Sequence, residues 1–255
     1  MSTSIIKISL CIPTMNRFDD FLNTNLSKYI CYLDNNIIDE IIICDEKGDD
    51  CEKIKKTDIF KNYIDSDKLR LYTNDDILGV FLNKIKVCSL AKNDYIALID
   101  SDNFCNDSYF DTCKSYILNN NLQSNSYFIL SPSFARPSFN FKEFEDNIIT
   151  KKNIKNYLKG NKFGVLINTG NFVLTKNLIQ NLKFNTNKKI LENISACDVM
   201  YFNLLLFKQF ENYEFRIVRN LEYEHVVHNE SIYIKTNEKC ALFREMFIKP
   251  EFFKL

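Results

Sequence analysis

The chain predicts an α/β protein built on a mostly parallel sheet, and three observations carry that expectation. Short apolar, partly β-branched runs recur along the first half, each ends in a polar or acidic turn, and a segment of helical period separates one run from the next. Runs that are apolar at every residue suit strands covered on both faces, and the repeated strand-helix order suits right-handed crossovers. The organising stretch is Asp94-Tyr95-Ile96-Ala97-Leu98-Ile99-Asp100-Ser101-Asp102-Asn103, where a buried strand stops at two carboxylates one residue apart. Ligands of such sheets gather at the carboxyl ends of strands. On an extended backbone Asp100 and Asp102 share one side and can face one divalent cation with its diphosphate ligand. A polar strand end capping the next helix is the alternative.

The elements follow in order. Ile5 to Ile12 predicts a first strand, turned by Pro13-Thr14-Met15-Asn16-Arg17 into a helix from Phe18 to Tyr32, with Asp19 and Asp20 in its favourable first turn. Ile37 to Cys44 predicts a second strand ending in the acidic loop Asp45 to Asp50. Cys51 to Tyr63 reads as a helix, Leu69 to Thr73 as a third strand, Asn74 to Gly79 as a loop and Val80 to Ala91 as the helix feeding the organising strand. Asp107 or Ser108 caps a helix to about Asn119, and Tyr127 to Leu130 adds a strand before Pro132. Ser133 to Lys162 carries Phe134, Phe139, Phe141 and Phe144 among charges, a lid or a surface excursion with aromatic anchors.

Short strands at Gly164 to Asn168 and Asn171 to Thr175 flank Thr169-Gly170, followed by a helix over Lys176 to Leu182. Ser195 to Phe210 is the clearest late helix, with Val199, Phe202, Leu205, Leu206 and Phe210 on its apolar face and Asp198 near its start. Glu214 to Val218 and Tyr223 to Val227 read as strands. The tail from Thr236 begins as a helix and ends in Lys249, Phe252, Phe253 and Lys254, a basic, aromatic end suited to a peripheral membrane contact.

Composition narrows the function classes. The 255 residues are 45% hydrophobic and 26% charged, enough for one well-filled core, and Lys plus Arg equals Asp plus Glu at 33 each. That balance supplies no net basic field for nucleic acid. Nine cysteines, scattered and never spaced Cys-x-x-Cys, fit reduced thiols and a cytoplasmic location. No run approaches the roughly 18 apolar residues of a membrane span, and no secretory signal core opens the chain. Nothing in the sequence sets an oligomeric state.

Three predicted strands end in polar groups on one edge: Pro13-Thr14, Asp45, and Asp100-Ser101-Asp102. A carboxylate at Asp45 can accept from the N3-H of a uracil or from a ribose hydroxyl, Thr14 can meet the same nucleoside, and Asp102 can hold a metal against a diphosphate.

With these residues in place the chain resembles the family 2 type of nucleotide-sugar glycosyltransferases with the GT-A fold. The family's apolar strand followed by Pro-Thr-Tyr-Asn-Arg is similar to Ile12-Pro13-Thr14-Met15-Asn16-Arg17. Its Glu-Ile-Ile-Val-Val-Asp-Asp is similar to Glu40-Ile41-Ile42-Ile43-Cys44-Asp45-Glu46, and its Tyr-Ile-x-Phe-Leu-Asp-Ser-Asp-Asp to Tyr95 through Asn103. The likeness covers roughly residues 5 to 120. It implies a Rossmann-like central sheet flanked by helices with a smaller acceptor-side sheet, in one domain over residues 1–255. Residues 1–125 would be the nucleotide-sugar-binding half and residues 126–255 the acceptor-binding half.

The resemblance also implies roles. Pro13, Thr14 and Asp45 would bind base and ribose, Arg17 the substrate, Asp100 and Ser101 ribose and diphosphate, and Asp102, with Asp100, the metal, Mn²⁺ or Mg²⁺. Asn74 and Gly79 stand where the family has Asn-x-Gly, and Lys84-Ile85 where it has Arg-Asn. Lys84 would be a point charge near base or diphosphate without the bidentate fork, or a solvated helix lysine. Asp198, in Ala196-Cys197-Asp198-Val199, stands where inverting members carry their base, although a helix-capping Asp is the other reading. His228-x-x-Ser231 resembles a late element returning to the metal or diphosphate, and an imidazole there would favour Mn²⁺. Acceptor contacts would fall at Asn168-Thr169-Gly170-Asn171, with Asn171 the residue chosen, or those residues form a simple turn.

The implied activity is metal-dependent transfer of a sugar from a UDP-sugar to a glycan or lipid-linked acceptor, with inversion at the anomeric carbon. Two rivals stand beside it. A sugar-1-phosphate nucleotidyltransferase would need a Gly-rich phosphate loop, and Leu10 to Arg17 contains no Gly. A non-catalytic nucleotide-sugar-binding protein would share the first half while lacking a working base at Asp198.

Overall fold

The computed structural model describes residues 5–185, 191, 194, 197–228, 238 and 241–255. Strands β1 (Ile8–Thr14), β2 (Glu40–Asp45), β3 (Leu69–Thr73) and β4 (Tyr95–Leu98) lie in the spatial order β3-β2-β1-β4, all parallel. Every residue of β1, β2 and β4 is buried, which is why these strands read as unbroken apolar runs. The crossovers are α1 (Asn23–Asp34), α2 (Asp49–Lys56) followed by α3 (Asp58–Asp65), and α4 (Val80–Ser89). Thr57, extended at φ −92° and ψ 113°, breaks the helix expected over Cys51 to Tyr63 into α2 and α3. Acids in the first turn of α2 and lysines in its last oppose the helix dipole at both ends.

After α5 (Asp107–Asn119), the second half continues the same sheet with β5 (Phe128–Arg136), β6 (Phe139–Asn140), β7 (Ile148–Ile149), β8 (Phe172–Thr175) and β9 (Glu214–Glu224). The full order is β3-β2-β1-β4-β8-β5-β9-β7, with β6 on β5. The reversal of direction at β4–β8, where the pairing turns antiparallel, joins the two halves of the chain. The strands of the second half, expected as a smaller separate sheet, are thus an extension of the central sheet.

Several boundaries moved. β5 runs through Pro132 to Arg136, because the register shift between Pro132 and Phe134 against β9 accommodates a residue without an N–H. Residues Glu214 to Glu224 form one strand where two were expected, and the extra residues of the shift include Asn220 at φ 57°. Gly164 to Asn168, expected as a strand, belongs to α6 (Asn161–Leu166) and the turn after it, a short apolar run whose period does not distinguish the two states. The late helix is described as α8 (Asp198–Gln209), after α7 (Lys176–Asn181).

Apolar side chains cover both faces of the sheet. Ile96 and Leu98 of β4 join one buried cluster with α4 and α8, whereas Tyr95, Ala97 and Ile99 join the other with α1 and α5. This alternation sends the residue after Ile99 towards α4 and α8.

Candidate active site

The carboxyl ends of β1, β2 and β4 lie on one edge, as the pairing Thr14 with Asp45 shows. A cleft of ≈ 1450 Å³ opens there, larger than a pocket for one small ligand, and its lining includes Pro13, Thr14, Arg17, Lys84, Asp100, Ser101, Asp102 and Asp198.

The rim at β1 is held by Asp50, fully buried in the first turn of α2. Its carboxylate accepts from Thr14 Oγ1 at 2.5 Å, from Arg17 N at 3.0 Å and from Phe18 N at 3.0 Å. In sequence Asp50 is one acid among several in a loop, and only its position inside the fold distinguishes it from Asp49, which is exposed.

Asp45 does not face the cleft. It is 0% exposed, and its oxygens accept from Lys47 N at 3.0 Å and Cys51 N at 2.9 Å, so it shapes the loop into α2. The expected contact of Asp45 with a base or ribose is therefore not what this geometry offers. Its neighbour Glu46 reaches the cleft, accepting from Asn74 Nδ2 at 2.9 Å. Asn74 is likewise interior, bonding Glu46 and Asn83 Oδ1 (3.0 Å) instead of lining the cleft. Burial pushes the thiol of Cys44 up to about 11 and that of Cys51 up to about 12, which removes thiolate chemistry from this edge at neutral pH.

At β4 the backbone leaves the strand after Leu98, and Asn103 N closes a turn on Asp100 O at 3.0 Å. Asp100 and Asp102 therefore sit on a turn instead of an extended chain, and each takes its own partner. Asp100 Oδ1 meets Lys84 Nζ at 2.9 Å, and Asp102 Oδ2 meets His228 Nε2 at 3.0 Å across 126 residues of sequence. Polar clamps from three elements hold the turn. Asp100 N donates to Asn171 Oδ1 (2.8 Å), Val226 N to Asn103 Oδ1 (3.0 Å), and Asn25 Nδ2 to Asn103 O (3.0 Å). Asn171 at φ 67° is itself fixed by Tyr109 OH donating to its carbonyl at 2.8 Å. Asn171 thus supports the Asp100 turn while lining the cleft.

Lys84 is buried and touches two carboxylates, with its Nζ also 2.9 Å from Asp198 Oδ2. Burial alone would lower its pKa, but Asp100 and Asp198 outweigh that and raise it, so Lys84 stays a cation. Asp198 occupies the first turn of α8, where Met200 N donates to Asn168 Oδ1 at 3.0 Å. His225 also lines the cleft. Burial lowers its pKa, against an upward pull from Asp102 and Asp100, which favours the neutral ring.

Among the described residues no three His, Cys, Asp or Glu side chains form a ready metal cage. Asp102 and His228 nonetheless fit a divalent cation as one carboxylate and one imidazole, with His228 braced by the Phe21 ring at 4.9 Å between centroids. Asp100 is committed to Lys84 and fits that role less well. Ser231 lies outside the described residues, as do Ser195 and Ala196 beside the candidate base. Arg244, Lys249 and Phe253 of the C-terminal segment also line the cleft, and among the described residues no helix is long and apolar enough to cross a membrane.

The chain matches no protein-family model and no curated protein sequence. Its fold matches crystal structures of S. aureus TarS. The first is 14% identical with a TM-score of 0.59, covering 94% of this chain and 40% of that one. TarS 1–349 in complex with UDP is 14% identical with a TM-score of 0.59, covering 93% of this chain and 65% of that one. The complex with UDP-GlcNAc is 14% identical with a TM-score of 0.60, covering 89% and 60%. The chain thus spans well under half of the longer TarS chain. At that identity the likeness establishes the fold, and it is the GT-A fold that the motifs implied.

Proposed function

We propose that this chain is a metal-dependent glycosyltransferase that moves a sugar from a UDP-sugar to a glycan or lipid-linked acceptor with inversion. The shared fold supports a nucleotide-sugar glycosyltransferase, and TarS itself was crystallised with UDP and UDP-GlcNAc. The observation that carries the reading is the 3.0 Å contact of His228 with Asp102, which lines the same cleft as Asp198.

In this reading Pro13, Arg17 and Glu46 border the nucleoside, because Asp45 is engaged behind them. Asp102 and His228 would hold Mn²⁺ or Mg²⁺, which when bound offsets the charge of the departing nucleoside diphosphate. Asp198 accepts the proton of the attacking acceptor hydroxyl as general base. The buried position of Asp198 limits water competition, and the Lys84 cation keeps a negative charge tolerable there. The volume of the cleft leaves room for an acceptor beside the donor, against the wall that carries Asn171, Phe163 and Phe253. Eight described cysteines are all free thiols, which supports a reducing, cytoplasmic setting with at most peripheral membrane contact.

Calorimetry across UDP, GDP and CDP, with Mn²⁺ and with EDTA, tests the reading. UDP should bind most tightly and only with the cation, and Asp102→Asn should remove the cation dependence. Equal affinity in EDTA, or an unchanged Asp102→Asn profile, would contradict the assignment. UDP-GlcNAc and UDP-hexoses then form the donor panel for transfer.

A further inference from the structure

We propose that Lys84 is a positioning residue that locks the carboxylates of Asp100 and Asp198 to one another, and that Gly170 is the clearance without which this lock cannot close. The proposal rests on the glycosyltransferase reading, since it assigns Lys84 to the base and not to the substrate.

Three elements distant in sequence supply the parts: α4 brings Lys84, the turn after β4 brings Asp100, and the first turn of α8 brings Asp198. The Nζ of Lys84 lies 2.9 Å from Asp100 Oδ1 and 2.9 Å from Asp198 Oδ2, and all three side chains are largely withdrawn from solvent. An ammonium has three donors and no acceptor, so this one cation can satisfy both anions at once. Without it, two like charges would face each other across a gap short enough for a single atom to bridge. Among the described residues Asp198 Oδ2 is buried with no aligned hydrogen-bond donor, and its 2.9 Å contact with the Lys84 cation is ionic.

Gly170 is the fourth part. A Cβ at this position would lie 2.8 Å from Asp100 Oδ2 and 3.8 Å from Lys84 Nζ, so any side chain there pushes on the Asp100 carboxylate right beside its contact with Lys84. Asn171, next in the chain, binds the backbone N of Asp100. Lys84 therefore holds the carboxylate of Asp100 while residues 170 and 171 leave room for it and bind its backbone. Asp100 is held as a strut between the donor-side turn and the base, and cation binding falls to Asp102 and His228.

The test measures UDP release from UDP-sugars, with water or a panel of saccharides as acceptor, for wild type, Lys84→Met, Lys84→Arg and Gly170→Ala. Lys84→Met should lower kcat by about tenfold or more while the donor KM stays within about threefold, and Lys84→Arg, which keeps the charge, should recover part of the loss. Gly170→Ala leaves every charge in place and should reproduce the same split, which decides the matter if Lys84→Met fails to fold. Loss appearing in KM, or kcat retained in Gly170→Ala, overturns the lock while the enzyme reading stands. Wild type that releases no UDP from any donor overturns the enzyme reading and the lock together.

Discussion

Replacing Asp50, which does not itself line the cleft, should loosen the β1 rim where the proposed function seats the nucleoside. Its buried carboxylate is the shared acceptor of Thr14 Oγ1, Arg17 N and Phe18 N, at 2.5 to 3.0 Å. Each buried donor left without a partner costs about 1–3 kcal/mol, so Asp50→Ala, which orphans the buried Thr14 and Phe18 donors and the part-buried Arg17 N, should cost about 2–6 kcal/mol. That is a large share of the roughly 5–15 kcal/mol that holds a domain together. Asp50→Asn keeps the shape but replaces one acceptor oxygen with a donor, and should cost about 1–3 kcal/mol, which lowers Tm by several degrees in a chain of this length. Urea unfolding followed by circular dichroism measures the stability, and UDP calorimetry on the folded variant measures the rim. The Asn variant should bind UDP more weakly even below its transition, because Asn16 at φ 55° and Arg17 are held in place through those bonds. If both variants unfold within about 0.5 kcal/mol of wild type and bind UDP equally, Asp50 is not the organiser of this loop.

Two further outcomes follow from the same geometry. Gly48 sits at φ +86° just before α2, and a Cβ there would lie 2.8 Å from Thr73 Cγ2, so Gly48→Ala should destabilise the protein by about 1–3 kcal/mol, read as a lower urea midpoint at unchanged slope. His225 has a pKa lowered from 6.5 by burial, only partly countered by Asp102 and Asp100. Its unfolded form therefore takes up a proton first. The stability it contributes is complete above about pH 6.5 and is lost as pH falls through the lower folded value. His225→Phe, which keeps the packing on Phe139, should flatten that acid arm in urea unfolding between about pH 5 and 7.5, whereas parallel profiles would show that His225 does not titrate differently on folding.

Much of the first half was legible because burial on both faces writes itself into sequence as unbroken apolar runs. Ile41 to Cys44 and Tyr95 to Ile99 could be placed as inner strands, and the carboxyl-edge clustering of Thr14, Asp100, Ser101 and Asp102 followed from their parallel order. Asp198 and His228 follow from the resemblance, and the fold brings Asp198 to Lys84 on the cleft wall and His228 into contact with Asp102, which also lines it. Asp45 and Asn74 were misjudged as cleft residues for one reason. A polar residue at a strand end looks the same in sequence whether it faces solvent or satisfies backbone donors beneath the surface. The second half was harder, since its strands are short, edge-like or interrupted, as at Pro132 and Asn220, and neither period stands out.

What the sequence determined by itself is the alternation that builds β1 to β4 and the chemistry available at their ends, because local period and residue type are properties of neighbours in the chain. What only the tertiary structure decided is which carboxylate meets which partner. Asp100 goes to Lys84 and Asp102 to His228 because the chain turns after Leu98 and because β8, α8 and the end of β9 pack around that turn. Contacts across 71 to 126 residues are set by packing, which no local pattern encodes.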